Sequence, residues 1–230
     1  MKTIGLLGGM SWQSTVVYYR IINEAAAGRL GGLHSARMVL YSVDFAEIAE
    51  LQRRDDREAA GAVLARGAQA LERAGAELLL IGANTMHIAA DAVQRAVRIP
   101  LLHVADAAAE AVRRAGVGRI GLLGTRFTME KDFLKRRLTR HGLEVTVPGE
   151  EDRAAVHRII FEELCLGIVS EDSRRRLTDI MERLIRAGAE GIVLGCTELS
   201  LIIRPEAMPY PVFDTTRIHA ESAVEAALAG

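Results

Sequence analysis

Thiols are scarce in this chain, with Cys165 and Cys196 its two cysteines. One possible disulfide cannot define the stapled framework of a small secreted domain, and no C-x-x-C pair marks a zinc ribbon or a redox site. Aromatic residues make up only 4% of the chain, so the core has to be built from Ala, Leu, Val and Ile. Such cores suit α/β proteins, whose buried strands are short aliphatic runs. Long apolar runs are missing: none approaches the about 18 to 20 residues of a membrane helix, which argues against a membrane partner. Charge of one sign is missing as well. The 29 basic residues face 30 acidic ones for a net −1, which argues against nucleic acid as a partner. The opening "MKTIGLLGGMSWQS" lacks a small-residue cleavage site and turns polar at once, unlike a secretory leader. A cytoplasmic globular protein is the expectation.

What is present is alternation. The chain has 230 residues, half of them apolar. Short aliphatic runs read as strands at 3–8, 36–44, 77–82, 99–104, 119–124, 143–148, 191–195 and 210–214. Amphipathic stretches between them read as helices over 14–28, 54–74, 128–142, about 150–166, 171–187 and 216–228. Strand–helix alternation of this kind implies an α/β fold with parallel sheets and helices on both faces.

The pattern also restarts. "IGLLGG" at Ile4 returns as "IGLLGT" at Ile120, "RAGAE" at Arg73 returns at Arg186, and "IPLLHV" around Pro100 returns as "YPVFDT" around Pro211. Three anchors in one order at nearly constant spacing predict two pseudo-symmetric lobes, 1–99 with 208–230 and 100–207. The period is too long for a solenoid.

In open parallel sheets, ligands sit beyond the carboxyl ends of the strands. Those ends here are "GGMS" (8–11), "SVDF" (42–45), "GANTMH" (82–87), "GTRFTM" (124–129) and "GCTE" (195–198). Most lead into a helix, whose first turn offers unpaired N–H groups to a small anionic molecule. "GLLGGMS" is not a dinucleotide fingerprint and carries no phosphate-loop lysine, and Ser11 is equally a helix cap. His87 and Asp91 lie four apart with no third ligand, so neither metal nor cofactor is expected. Cys165 falls in the apolar phase of "IIFEELCLG" and reads as an inert core thiol. Cys196 is placed differently, after a buried strand and before a helix start. There a helix end stabilises thiolate and is expected to lower the thiol pKa. At the position equivalent by the repeat, the first lobe carries Ala83.

Taken together, "GLLGGMSWQST", "GLHSARMVLYSVDF", "GANTMHIAADAV", "LLGTRFTME", "GCTELSLII" and "PVFDTTRIHAESAV" resemble the aspartate/glutamate racemase family over essentially the whole chain. The resemblance implies cofactor-independent racemisation of a small dicarboxylic amino acid, an active site between two lobes, and a homodimer. Proton removal from one face of Cα and return to the other calls for an acid/base group on each side. In the family a cysteine from each lobe usually serves. By resemblance that role falls to Cys196, whereas Ala83 can neither give nor take a proton. Met10, Ser11, Asn84, Thr85, Thr125, Thr128 and Thr197 would offer donors to the substrate carboxylates. Gln52 and Arg53, in the loop after the second strand, would contact the distal carboxylate, Arg53 in a bidentate grip. Asp44 and Glu198 would support them. Ala83 leaves two further readings open: a one-cysteine decarboxylase or isomerase of a related dicarboxylate, like the arylmalonate decarboxylases, with Cys196 as proton donor, or a non-catalytic dicarboxylate binder.

Overall fold

The computed structural model describes residues 1–229. The elements in chain order are β1 (Ile4–Gly8), α1 (Trp12–Leu30), β2 (Met38–Ser42), α2 (Phe45–Arg53), α3 (Arg57–Arg73), β3 (Leu78–Ile81), α4 (Ala90–Ala96) and α5 (Val104–Arg114). They continue with β4 (Arg119–Leu123), α6 (Arg126–Glu130), α7 (Asp132–Arg140), β5 (Glu144–Thr146), α8 (Glu150–Arg158), α9 (Glu171–Arg186), β6 (Gly191–Leu194), β7 (Val212–Asp214) and α10 (Thr215–Leu228). The chain divides into two units, Met1–Val104 with His219–Gly230, and Ala105–Ile218. The divisions fall at α5 and inside α10, where the repeat had suggested 99 and 207.

The first unit carries a parallel sheet in the order β2-β1-β3, with Ile4 opposite both Met38 and Leu78. Alternate residues of its strands feed two cores. Leu7, Leu79 and Ile81 pack with Ile48, Leu64 and Leu71 of α2 and α3. Ile4, Leu6, Leu78 and Leu80 pack with Tyr18 and Ile22 of α1 and with Ala220, Ala223 and Val224 of α10. A strand with both faces covered has to be apolar at every position, which is why β1 and β3 read as unbroken runs. Ser11 caps α1 by accepting from Ser14 N–H at 3.3 Å. The tight exit from β1 depends on Gly9, which sits at φ +91°, and a Cβ there would lie 2.6 Å from Val43 N. No L side chain fits that conformation and that space together.

The second unit repeats the plan with a parallel sheet in the order β5-β4-β6-β7. Its core joins Leu123, Ile192 and Leu194 to Val156, Leu177, Ile180 and Met181. In both units the chain crosses from one side of the central strand to the other. That places the crevice of such a sheet between the ends of β1 and β3, and between those of β4 and β6.

Four expectations change. The strand at 99–104 is a single parallel bridge, Leu79 to Leu101, because the chain turns into α5 at Val104. The helix at 128–142 is two helices, α6 and α7, which meet at Lys131 in extended conformation. Residues 45–53 form a helix, not a loop, capped by Asp44, whose Oδ1 accepts from Ala46 N–H. The helix at 150–166 is α-helical only to Arg158, after which it widens to a π turn over Ile159–Glu163 and tightens to a 3₁₀ turn over Leu164–Leu166.

Candidate active site

The first unit gathers Met10, Ser11, Ala83, Asn84 and Thr85 at the ends of β1 and β3. Met10, Ala83 and Asn84 are buried. Thr15 Oγ1 accepts from Gly9 N–H at 2.8 Å and donates to Ser11 C=O at 3.0 Å, tying the β1 turn to the first turn of α1. After β3 the chain enters a 3₁₀ turn, Thr85–Ala89, and Asn84 at its start makes no side-chain capping bond. Gln52 reaches this turn: its Nε2 donates to Met86 Sδ at 2.9 Å. Arg53 does not. It stands on exposed α2 and its guanidinium is taken by Glu50, through Nε at 2.9 Å and through Nη2. The charged run that suggested a carboxylate grip is here a solvated helix face.

The second unit gathers Thr125, Thr128, Cys196, Thr197 and Glu198 at the ends of β4 and β6. Thr125 caps α6 and accepts from Thr128 N–H. Thr128 is fully buried, with its hydroxyl 3.2 Å from that of Thr125, and so supports the turn. Thr215 Oγ1 donates to Leu194 C=O at 2.7 Å and so fixes the end of β6 from the start of α10. Cys196 is 7% exposed. Its Sγ–H donates to Glu198 Oε2 at 2.9 Å, and the Thr197 hydroxyl donates to the same oxygen at 2.8 Å. Burial first, and then the Glu198 carboxylate, push the Cys196 thiol well above its ordinary value. This corrects the expectation of a lowered pKa. The turn after β6 is one short 3₁₀ piece, Thr197–Leu201, too brief for the dipole of a full helix, while a carboxylate stands beside the sulfur. Cys165, half-buried, is likewise raised, to about 11, mainly by burial.

Sequence reasoning singled out His87 for its spacing from Asp91, but the structure gives the ring other partners. Nδ1 lies 3.0 Å from Ala83 C=O, and Nε2 accepts from Val104 N–H at 3.2 Å. His219 and Tyr18 escaped notice. The Tyr18 hydroxyl and His219 Nδ1 are 3.0 Å apart inside the first unit. The available signal was a tyrosine in the apolar phase of α1 and a histidine in the alanine-rich α10. Among the described residues, no three His, Cys, Asp or Glu side chains gather as metal ligands would.

This arrangement has one buried thiol, hydrogen-bonded to a carboxylate, at the sheet crevice of the second unit, and a methyl group at the equivalent place in the first. A family profile described as Asp/Glu/Hydantoin racemase matches residues 7–223. The chain belongs to the Asp/Glu/hydantoin racemase family. Its named members include amino-acid racemases, which are isomerases. A Yersinia pestis structure, described provisionally as an Asp/Glu racemase, is 51% identical, covers 99% of this chain and 100% of its own, and superposes with a TM-score of 0.94. An aspartate racemase homologue from Pyrococcus horikoshii OT3 is 38% identical, with 99% of each chain covered and a TM-score of 0.89. The broad specificity amino-acid racemase RacX of Bacillus subtilis is 23% identical over 98% of each chain. The family is thereby shown, and with it the two-sheet racemase fold.

Proposed function

We propose that this protein is a cofactor-independent racemase of aspartate or glutamate, in which Cys196 exchanges the Cα proton on one face of the substrate. The observation that carries the reading is the thiol–carboxylate pair of Cys196 and Glu198 at a strand end. A thiol held protonated by its surroundings is the acid that returns a proton to a carbanion. To act as base, Cys196 first passes its proton to the Glu198 carboxylate, which already accepts its hydrogen bond. The thiolate then takes the Cα proton, and both groups return to their resting state after one exchange in each direction. Met10, Ser11, Asn84, Thr85, Thr125 and Thr197 are the groups we assign to substrate contact. Gln52 joins them through the 83–87 turn, whereas Thr128 and Arg53 are committed elsewhere. With Ala83 in place of the second acid/base, water serves the other face, and inversion is slower than exchange.

The test is incubation of both enantiomers of Asp and Glu in D₂O, with deuterium at Cα read by NMR and inversion read by chiral chromatography. Exchange by the parent protein and none by Cys196→Ala is the expected result. The protonated state of the lone thiol also favours a second reading, a one-cysteine lyase in which Cys196 protonates the carbanion left by loss of CO₂. Gas release from a substituted malonate, without exchange of Asp or Glu, selects it. Affinity for dicarboxylates without either reaction marks a binder.

Two further assignments accompany this reading. Trp12, Val16 and Tyr19 are 65%, 56% and 56% exposed and follow one another along one face of α1. We assign that face to a homodimer contact, for which light scattering of the parent and of Tyr19→Glu is the check. Both cysteines are free thiols, which suits the reducing cytoplasm, and no helix among the described residues is long and apolar enough to cross a membrane.

A further inference from the structure

Three buried imidazoles lie together in the first unit, and the chemistry above uses none of them. The His87 ring lies 4.6 Å from that of His103, tilted by 60°, and 5.5 Å from that of His219, edge-on, centroid to centroid. The bonding around His87 fixes its tautomer. Val104 N–H can only donate, so Nε2 carries the lone pair, and the ring proton sits on Nδ1, pointed at the Ala83 carbonyl. Burial holds the ring far below its ordinary pKa, with His103 and His219 adding to the effect, so the neutral form persists.

The backbone shows what this bond decides. His87 N–H bonds Asn84 C=O at 3.1 Å, three residues back, which is the 3₁₀ pattern. In an α-helix that N–H would instead take the carbonyl of residue 83, four residues back. The imidazole occupies that carbonyl from the same residue, satisfying a buried acceptor that the 3₁₀ turn leaves over. The second unit lacks this device. The residue equivalent by the repeat is Ser200, whose hydroxyl is buried with no hydrogen-bond partner among the described residues, and the 196 carbonyl is met at 3.2 Å by Leu199 N–H alone. The latch is therefore particular to the half of the molecule in which residue 83 stands.

We propose that His87 is a positioning residue: by holding the Ala83 carbonyl with Nδ1–H and Val104 N–H with Nε2, it locks the 83–87 turn in its 3₁₀ form and so sets the direction of the residue-83 side chain and the Asn84 and Thr85 amides. This rests on the reading of residue 83 as the place of the first-lobe acid/base. Two substitutions separate the halves of the latch. In His87→Asn the side-chain amide N–H falls near Nδ1 and keeps the bond to Ala83. In His87→Gln the amide oxygen falls near Nε2 and keeps only the bond from Val104. Backbone amide shifts of Asn84, Thr85 and Met86 should stay near the parent in His87→Asn and move in His87→Gln. With Ala83→Cys as background, kcat for Cα exchange should fall about 10-fold or more in His87→Gln, with KM changed less, and stay near the background value in His87→Asn. Equal amide-shift changes in the two variants, or larger ones in His87→Asn, overturn the proposal. So does ring ¹⁵N NMR of the unmodified protein showing the proton on Nε2, a measurement that does not depend on either variant folding. If the protein exchanges no α-proton at all, the racemase reading fails, and the amide and ring shifts still decide the latch.

Discussion

Acid should loosen the first unit through His219. The ring is wholly buried, and burial lowers its pKa from 6.5 to about 4. Its Nε2–H donates to Leu102 C=O at 3.0 Å, and its Nδ1 accepts from the Tyr18 hydroxyl at 3.0 Å. A histidine whose folded pKa lies below its unfolded value binds protons more readily when unfolded. Stability is then full above about pH 6.5 and is lost as pH falls toward 4. At about 1.36 kcal/mol per pH unit, the gap between 6.5 and about 4 removes about 3 kcal/mol by pH 4. That is a large share of the 5–15 kcal/mol typical of a domain. His87 is shifted the same way for the same main reason. The comparison to make is urea unfolding of the parent and of His219→Gln from pH 7 to pH 4. The glutamine amide keeps the bond to Leu102 but removes the bond between the Tyr18 hydroxyl and Nδ1, which should cost about 1–2 kcal/mol at pH 7. It carries no proton penalty, so the parent's advantage should shrink with falling pH and reverse between about pH 6 and pH 5. A difference between the two proteins that stays constant across this range would falsify the argument, since carboxylates elsewhere titrate alike in both.

Four further outcomes follow from the same geometry. Ala83→Cys should raise racemisation of Asp or Glu by about 10² or more, the range for one added acid/base group, and no gain in any of the four enantiomers rejects the role given to residue 83. Glu198→Gln should slow Cα proton exchange by about 10²-fold while folding is retained, because the Cys196 thiol loses the carboxylate that accepts its proton; unchanged exchange in D₂O removes Glu198 from the chemistry. Gly9→Ala should destabilise the protein by about 2 kcal/mol or more, from the left-handed backbone and the collision with Val43, as read by thermal melting. Thr215→Val should cost about 1–3 kcal/mol by leaving the buried Leu194 carbonyl unmet, with little change in overall shape by circular dichroism.

Much of this protein is legible from its residues alone. Strands buried on both faces have to be aliphatic at every position, so β1, β3, β4 and β6 stand out as runs, and the repeat of those runs announces two similar units. Gly9, Gly82, Gly124 and Gly195 mark the exits of β1, β3, β4 and β6, each with Ser, Asn or Thr within the next two residues, the residue types that suit a tight turn into a helix start. The family motifs lie on those exits, which is why the thiol and its missing twin could be named from sequence. Local pattern misled where the deciding partner is distant in the chain. The 99–104 run resembles a strand but pairs only once, since the chain leaves for α5 at Val104. The pairing of Arg53 with Glu50 appears only once α2 forms and brings the two side chains onto one turn. The pKa of Cys196 depends on burial and on how near the Glu198 carboxylate folds to the sulfur, and spacing along the chain does not encode that distance. The cluster of Tyr18, His87, His103 and His219 is assembled from four separate segments. Its tautomers are set by a backbone N–H at 104 and carbonyls at 83 and 102, groups every residue possesses, so only the tertiary structure could place them.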